Sequence, residues 1–229
     1  MPRVRRLALV AVLAVLGGLA LAGCRSEPGV AAYVGGTRIT DAQVDAMATQ
    51  IRDHRPPGAS KDFRAQVLTY MVQRELMAAA LADRGIMPPP VSDDDLEAVA
   101  KNNGLDPQVR FVRTAVEADL YLDKAAEAYL KGLSQPPAPT EADQREAYSR
   151  LQATGQLPPF EDVRQFFTAD VMGAAIARRT AVADSVKRHP VRLSPRYDGF
   201  AFTFPFVVGG VRTSLAVPIG PQATPPAKP

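Results

Sequence analysis

Ala31-Ala32-Tyr33-Val34-Gly35-Gly36-Thr37-Arg38-Ile39-Thr40-Asp41-Ala42-Gln43 is the stretch whose reading decides the fold class. Two short β-prone pieces flank a Gly-Gly pair, and adjacent glycines suit a tight hairpin turn that needs positive φ. Thr40 and Gln43 then stand at capping-box spacing, with the hydroxyl capping the first turn and the amide reaching back. The hairpin therefore leads straight into a helix, expected to run to about Arg52 with Val44, Met47 and Ile51 on one face. His54-Arg55-Pro56-Pro57-Gly58 stops it.

Helical spacing dominates the chain from Ser60 to Arg188. Ser60 is placed to cap a second helix ending at Gly85, in which Phe63, Val67, Tyr70, Met71, Met77 and Leu81 recur at helical intervals. Leu68, Val72 and Leu76 widen that stripe enough to require burial against more than one neighbour. Gly85 suits a C′ position, and Ile86 to Pro90 reads as an extended connector. Ser92 begins another cap, with Asp93, Asp94 and Asp95 in the first turn, where negative charge meets the helix dipole. That helix ends at Asn102-Asn103-Gly104. A long helix is expected from Asp106-Pro107 to about Leu133, near 40 Å at 1.5 Å per residue. Ser134 to Pro139 is a proline linker and the best internal boundary. Thr140 starts a helix to about Ala153, and Phe160 starts a last one to about Arg188, ended by Pro190.

The pattern then turns to strands. Val191 to Ser194 reads as one. Phe200, Phe202, Phe204 and Phe206 alternate along another and share one face. Pro205 confines that strand to an edge or splits it. Gly209-Gly210 invites a second hairpin turn, and Pro221 to Pro229 is expected to be disordered.

At the other end, Arg3, Arg5 and Arg6 precede an uncharged run from Leu7 to Ala22, which is about 16 residues. A helix needs about 20 to span hydrocarbon. A positive segment, a short apolar segment and small residues in that order make a secretory signal. Leu21-Ala22-Gly23-Cys24 resembles the lipobox of bacterial lipoproteins. The resemblance implies removal of residues 1–23 and attachment of diacylglycerol and palmitate-type acyl chains to Cys24. The bland alternative is a chance cysteine beside an ordinary signal or an uncleaved anchor. Of the 229 residues, 206 follow position 23, enough for one sizeable domain or two small ones. The 27 basic residues exceed the 24 acidic ones by the three leader arginines, so the mature chain is formally neutral. The pI near 9.1 reflects that leader and gives no nucleic-acid footprint. Cys24 is the single cysteine, which leaves none for a disulfide or thiolate metal site.

The block 31–102 resembles the N-terminal domain of SurA/PrsA-type extracytoplasmic chaperones and parvulin-type foldases. The shared features are the Ala-Tyr-Val-Gly-Gly-Thr-Arg-Ile-Thr hairpin entering a capped helix, then Leu68, Val72, Leu76 and Ala80. Gly85-Ile86 and Val91-Ser92-Asp93-Asp94-Asp95-Leu96 continue it. Weaker similarity at Thr140–Tyr148, Phe160–Arg164 and Val191–Tyr197 extends the match to roughly 31–199. The resemblance implies that the hairpin pairs with a C-terminal strand, so that the chain ends meet around one helical core. It does not carry over isomerase activity, because no segment has room for a parvulin domain and His54 and His189 sit in helix-end turns.

The expected architecture is mainly α, with a small sheet from the hairpin and C-terminal strands. It divides into a signal peptide (1–23), a lipidated tether (24–30), a SurA-like domain (31–199), a β extension (200–218) and a tail (219–229). No Gly-x-Ser-x-Gly is present, and the glycine pairs lack phosphate-loop spacing. Asp93 to Asp95 are explained by a helix N-terminus, since consecutive helical residues do not face one another. No enzyme activity, cofactor, metal or nucleic acid is expected. What remains is a non-catalytic chaperone or assembly factor outside the cell membrane, held there by Cys24, with unfolded or partly folded secreted proteins as partners. The alternative is a lipoprotein docking one specific envelope partner. Exposed apolar, adaptable side chains would carry such binding. Tyr70, Met71, Met77, Phe200, Phe202, Phe204 and Phe206 are the candidates, against the bland reading that they are ordinary core.

Overall fold

The computed structural model describes residues 27–54, 63–135, 137–153, 155, 157–197 and 199–219. The hairpin forms as β1 (Val30–Val34) and β2 (Thr37–Thr40), and the fold is mainly helical with small antiparallel sheets. Gly35 supplies the positive φ of the turn, at +54°. Thr40 caps α1 (Asp41–Asp53) through a full capping box with Gln43.

Next come α2 (Arg64–Ala82), α3 (Asp93–Asn103) and α4 (Arg110–Leu130). The expected cap at Ser60 lies outside the described residues. Gly85, at φ +64°, closes α2 as a C′ residue. Its N–H donates to the Ala82 carbonyl at 2.9 Å, and the Ile86 N–H to Leu81 at 3.0 Å, the paired bonds of a Schellman end. Ser92 and Asp95 form the capping box of α3, which gives that acidic run a structural role. The long helix begins later than the sequence suggests. Asp106 accepts the Gln108 N–H on its carboxylate at 2.7 Å and the Val109 N–H on its carbonyl at 3.0 Å. That turn uses up the residues expected to open the helix, so α4 has 21 residues and spans about 32 Å.

After the proline stretch come α5 (Glu141–Gln152), the short α6 (Phe160–Val163) and α7 (Ala169–Arg188). The single helix expected over Phe160–Arg188 is broken. Arg164–Phe166 tighten into a 3-10 turn, and Phe167 leaves helical geometry at ψ 67°. Tertiary contacts account for the break. The Phe167 ring is buried near Phe160, and its carbonyl accepts the Gln144 amide of α5 at 3.0 Å.

The C-terminal strands separate into two sheets, where one was expected. β3 (Val191–Leu193) joins the first hairpin in the order β2-β1-β3, with Val34 opposite Val191. β4 (Ala201–Val208) and β5 (Val211–Pro218) pair only with each other. They lie against α7 and α5, and their inward side chains belong to the same core as β1, α1, α2 and α4. The core runs unbroken across both the proline stretch and residue 199. It includes Ala32, Val72, Phe111, Leu151, Val182, Phe204 and Leu215.

Candidate functional site

Residues 200–218 close over the helical body, and the closure decides where most candidate residues lie. Phe202 and Phe204 are 1 % exposed, Met77 is fully buried and Met71 nearly so. These four are core side chains, which withdraws them as an exposed client-binding stripe. Phe200 and Phe206 are half-buried at the ends of the stripe, with Phe200 edge-on to Phe202 at 5.4 Å. Tyr70 is half-buried, packed edge-on against Phe111 at 5.4 Å between ring centres. Cys24 lies outside the described residues. The alternation of the four phenylalanines is as the sequence indicates; what they cover is the inside of this protein.

The seam between hairpin and helices is not completely filled. A cleft of about 530 Å³ opens between β4, α2 and α4, with Arg178 of α7 and Arg212 of β5 at its border. Tyr70, Leu122, Phe202 and Phe204 contribute its apolar lining. Gln66, Thr69 and Gln73 of α2 face Asp119 and Asp123 of α4 across it. Gln73 is buried, and its amide donates to the Ala118 carbonyl at 3.1 Å and to the Asp119 carboxylate at 3.3 Å. Arg178 donates to Asp123 at 2.7 Å.

Asp119 is an exposed residue at the mouth of the cleft. Even so, the cleft walls strip enough water from its carboxyl to push its pKa up to about 6. The Gln73 amide opposes that rise, Asp123 one helical turn on adds to it, and Arg178 offsets part. Burial raises the Tyr70 hydroxyl too, and the Asp119 charge reinforces the effect. No cation among the described residues is within ion-pairing distance of Asp119.

The two edges of the β4–β5 hairpin are treated differently. The Ala216 N–H on the outer edge of β5 donates to the Glu146 carboxylate of α5 at 2.8 Å, and the Thr213 hydroxyl donates to the Ala147 carbonyl at 3.1 Å. That side is covered. Val208 and Val211 close a two-residue turn, so the antiparallel ladder alternates from a bonded pair there. The backbone groups of Ala201, Thr203 and Val207 therefore point away from β5. Pro205 takes the remaining outward position, where its missing N–H leaves no ladder bond unmade. Thr203 and Pro205 line the cleft together with Phe202 and Phe204, so the cleft wraps around this edge.

A second polar cluster ties the opposite end together. Asp83, after α2, accepts from Arg188 and from His189 Nε2, the latter at 2.8 Å. The His189 bond holds the Asp83 carboxyl below its usual range, with help from the charges of His189, Arg188 and Arg84. The Gly35 N–H donates to the Pro190 carbonyl at 3.1 Å, so the first hairpin turn is fastened to this corner. A third cluster joins α7 to α5 through Arg179 and Asp143. Burial pushes the Asp143 carboxyl up, but the Thr140 N–H and hydroxyl and the Arg179 guanidinium together outweigh it and lower the pKa.

Among the described residues no three His, Cys, Asp or Glu side chains converge as metal ligands. Sequence reasoning singled out only the apolar part of the cleft. Two signals pointed to the rest: Gln73 stands at helical spacing between Tyr70 and Met77, a polar residue on an apolar face, and Asp119 and Asp123 stand one turn apart on one helix face. Comparison with protein-family models, curated proteins and solved structures returns no match.

Proposed function

We propose that this chain is a membrane-tethered extracytoplasmic lipoprotein that holds extended or partly folded secreted chains without catalysing a reaction on them. The observation that carries this reading is the cleft at the hairpin seam. It combines an apolar lining with uncommitted backbone groups, and those are the two things an extended polypeptide needs from a binder. Its volume of about 530 Å³ suits a short segment and is too small for a folded domain. The leader and Cys24 support the location, and the resemblance of 31–199 to SurA-type domains supports the class.

Burial of Met77, Phe202 and Phe204 favours a second reading, in which the same scaffold docks one specific envelope partner. A filled core offers a fixed surface, whereas generic capture of unfolded chains relies on broad, adaptable apolar area. Light scattering of an unrelated aggregating protein separates the two. Suppression at near-stoichiometric amounts supports the holding function. No suppression at several-fold excess, together with one dominant partner on affinity capture, replaces it with the docking function.

A further inference from the structure

The outward edge of β4 and the Asp119 carboxylate border one cleft; among the described residues the edge has no hydrogen-bond partner and the carboxylate, bonded to the Gln73 amide, has no cation. We propose that an extended segment of a secreted chain adds to β4 as a further strand, with a lysine or arginine of that segment paired to Asp119. The proposal rests on the holding function above and specifies its ligand.

Three observations support it independently of one another. The first is the edge itself. From Ala201 to Val207 it presents the N–H and C=O groups of three residues and the C=O of Pro205 over about 20 Å, the reach of a seven-residue strand. Pro205 thins this edge without closing it, and among the described residues no helix side chain bonds it, in contrast to Glu146 on β5. The second is the lining. A strand added beside β4 places alternate side chains toward Tyr70, Leu122 and the Phe202–Phe204 pair, so apolar residues at every second position are favoured.

The third is charge. The α2 wall is uncharged, with Gln66, Thr69, Tyr70 and Gln73; α4 contributes Asp119 and Asp123; α7 contributes Arg178; β5 contributes Arg212. Arg178 is committed to Asp123. Among the described residues Asp119 accepts only from the Gln73 amide, and an incoming ammonium or guanidinium would give it a charge-assisted bond at the mouth of the cleft. Its raised pKa, from crowding by the cleft walls, is consistent with a carboxylate that has no cation beside it among those residues.

The test uses the full chain in detergent and a fluorescein-labelled octapeptide of alternating valine and threonine with one central lysine, read by anisotropy. Binding is expected, and backbone N-methylation of the peptide on its pairing edge should weaken it roughly tenfold. Thr203→Pro, which deletes one outward N–H of β4, should weaken it to a similar extent. Acetylating the lysine should cost several-fold in the native protein and nothing in Asp119→Asn. The same preference should fade between about pH 7 and pH 5 as the carboxylate takes up a proton.

Equal affinity for the N-methylated peptide overturns strand addition, and that comparison uses native protein, so it stands even where Thr203→Pro folds poorly. Equal affinity for lysine and acetyl-lysine overturns the role of Asp119. Absence of peptide binding overturns the whole proposal. Light scattering then distinguishes the outcomes: suppression of aggregation without peptide binding leaves the holding function in place with its surface elsewhere, and loss of both removes the two together.

Discussion

Two hairpins in this molecule begin from the same sequence signal and end in different situations. Gly35-Gly36 and Gly209-Gly210 each join two strands across a two-residue turn. The first hairpin acquires β3 on the free side of β1, and its turn is fastened to the corner held by Asp83, Arg188 and His189. The second stays two-stranded among the described residues, bonded to α5 along β5 and without a partner from them along the outer edge of β4. A glycine pair therefore specifies a turn. It says nothing about what the outer edges meet, and the outer edges are where the two regions acquire different roles.

The largest effect is expected from testing whether the second hairpin is an appendage. Phe204 is 1 % exposed in the shared core, so Phe204→Ala should lower unfolding free energy by about 3–5 kcal/mol in urea titration. A loss below about 1 kcal/mol would mean that residues 200–218 do not belong to the cooperative core. The turns come next. Gly35 and Gly209 have φ near +55° and neither site is too tight for a Cβ, so Gly35→Ala and Gly209→Ala should each cost about 1–2 kcal/mol from backbone strain alone. A much larger cost at Gly35 would show that its bond to Pro190, and not only its conformation, holds the first sheet in place.

Thr40→Ala should cost about 1 kcal/mol by removing the cap where the first hairpin enters α1. The smallest effects are two pH dependences of opposite sign. Asp83 has a lowered pKa in the folded protein, so its contribution is present above the unfolded value and is lost as pH falls through the folded one. Asp83→Asn should flatten the acid limb of a Tm profile. Asp119 has a raised pKa, so the folded state binds more protons and loses stability as pH rises through about 4 to 6. Asp119→Asn should raise Tm slightly at neutral pH and change nothing below about pH 3.5. Matching signs would erase the electrostatic contrast between the two regions.

What was legible in the sequence is what neighbouring residues determine among themselves. Thr40 with Gln43, Ser92 with Asp95 and Thr140 with Asp143 each cap a helix within four residues. Gly85 ends a helix because its own φ permits the closing bonds. The break at Phe167 was not legible, because apolar spacing continues through it and the cause is a bond from Gln144 of another helix. The late start of α4 escaped for a related reason: Pro107 is compatible with a first helical turn, but the Asp106 carboxylate accepts the Gln108 N–H in a turn instead. The phenylalanine alternation gave the shared face correctly and could not say whether that face meets solvent, a client or α7. The polar half of the cleft was the least legible, since Gln73, Asp119 and Arg178 come from three helices and converge only on folding.

The position of β1 also sets an order in time. β1 lies in the middle of its sheet, between β2, its immediate successor in the chain, and β3, which is made only after the last helix. As synthesis proceeds from the N-terminus, one side of β1 remains without its partner while α1 to α7 are added. The Ser194 N–H that finally bonds the Ala31 carbonyl arrives only then. A sheet closed by strands so far apart in the chain makes folding wait for its last member, with the slow kinetics that distant strand pairing imposes. Until that moment the half-formed sheet needs protection from the same edge-to-edge capture proposed for β4.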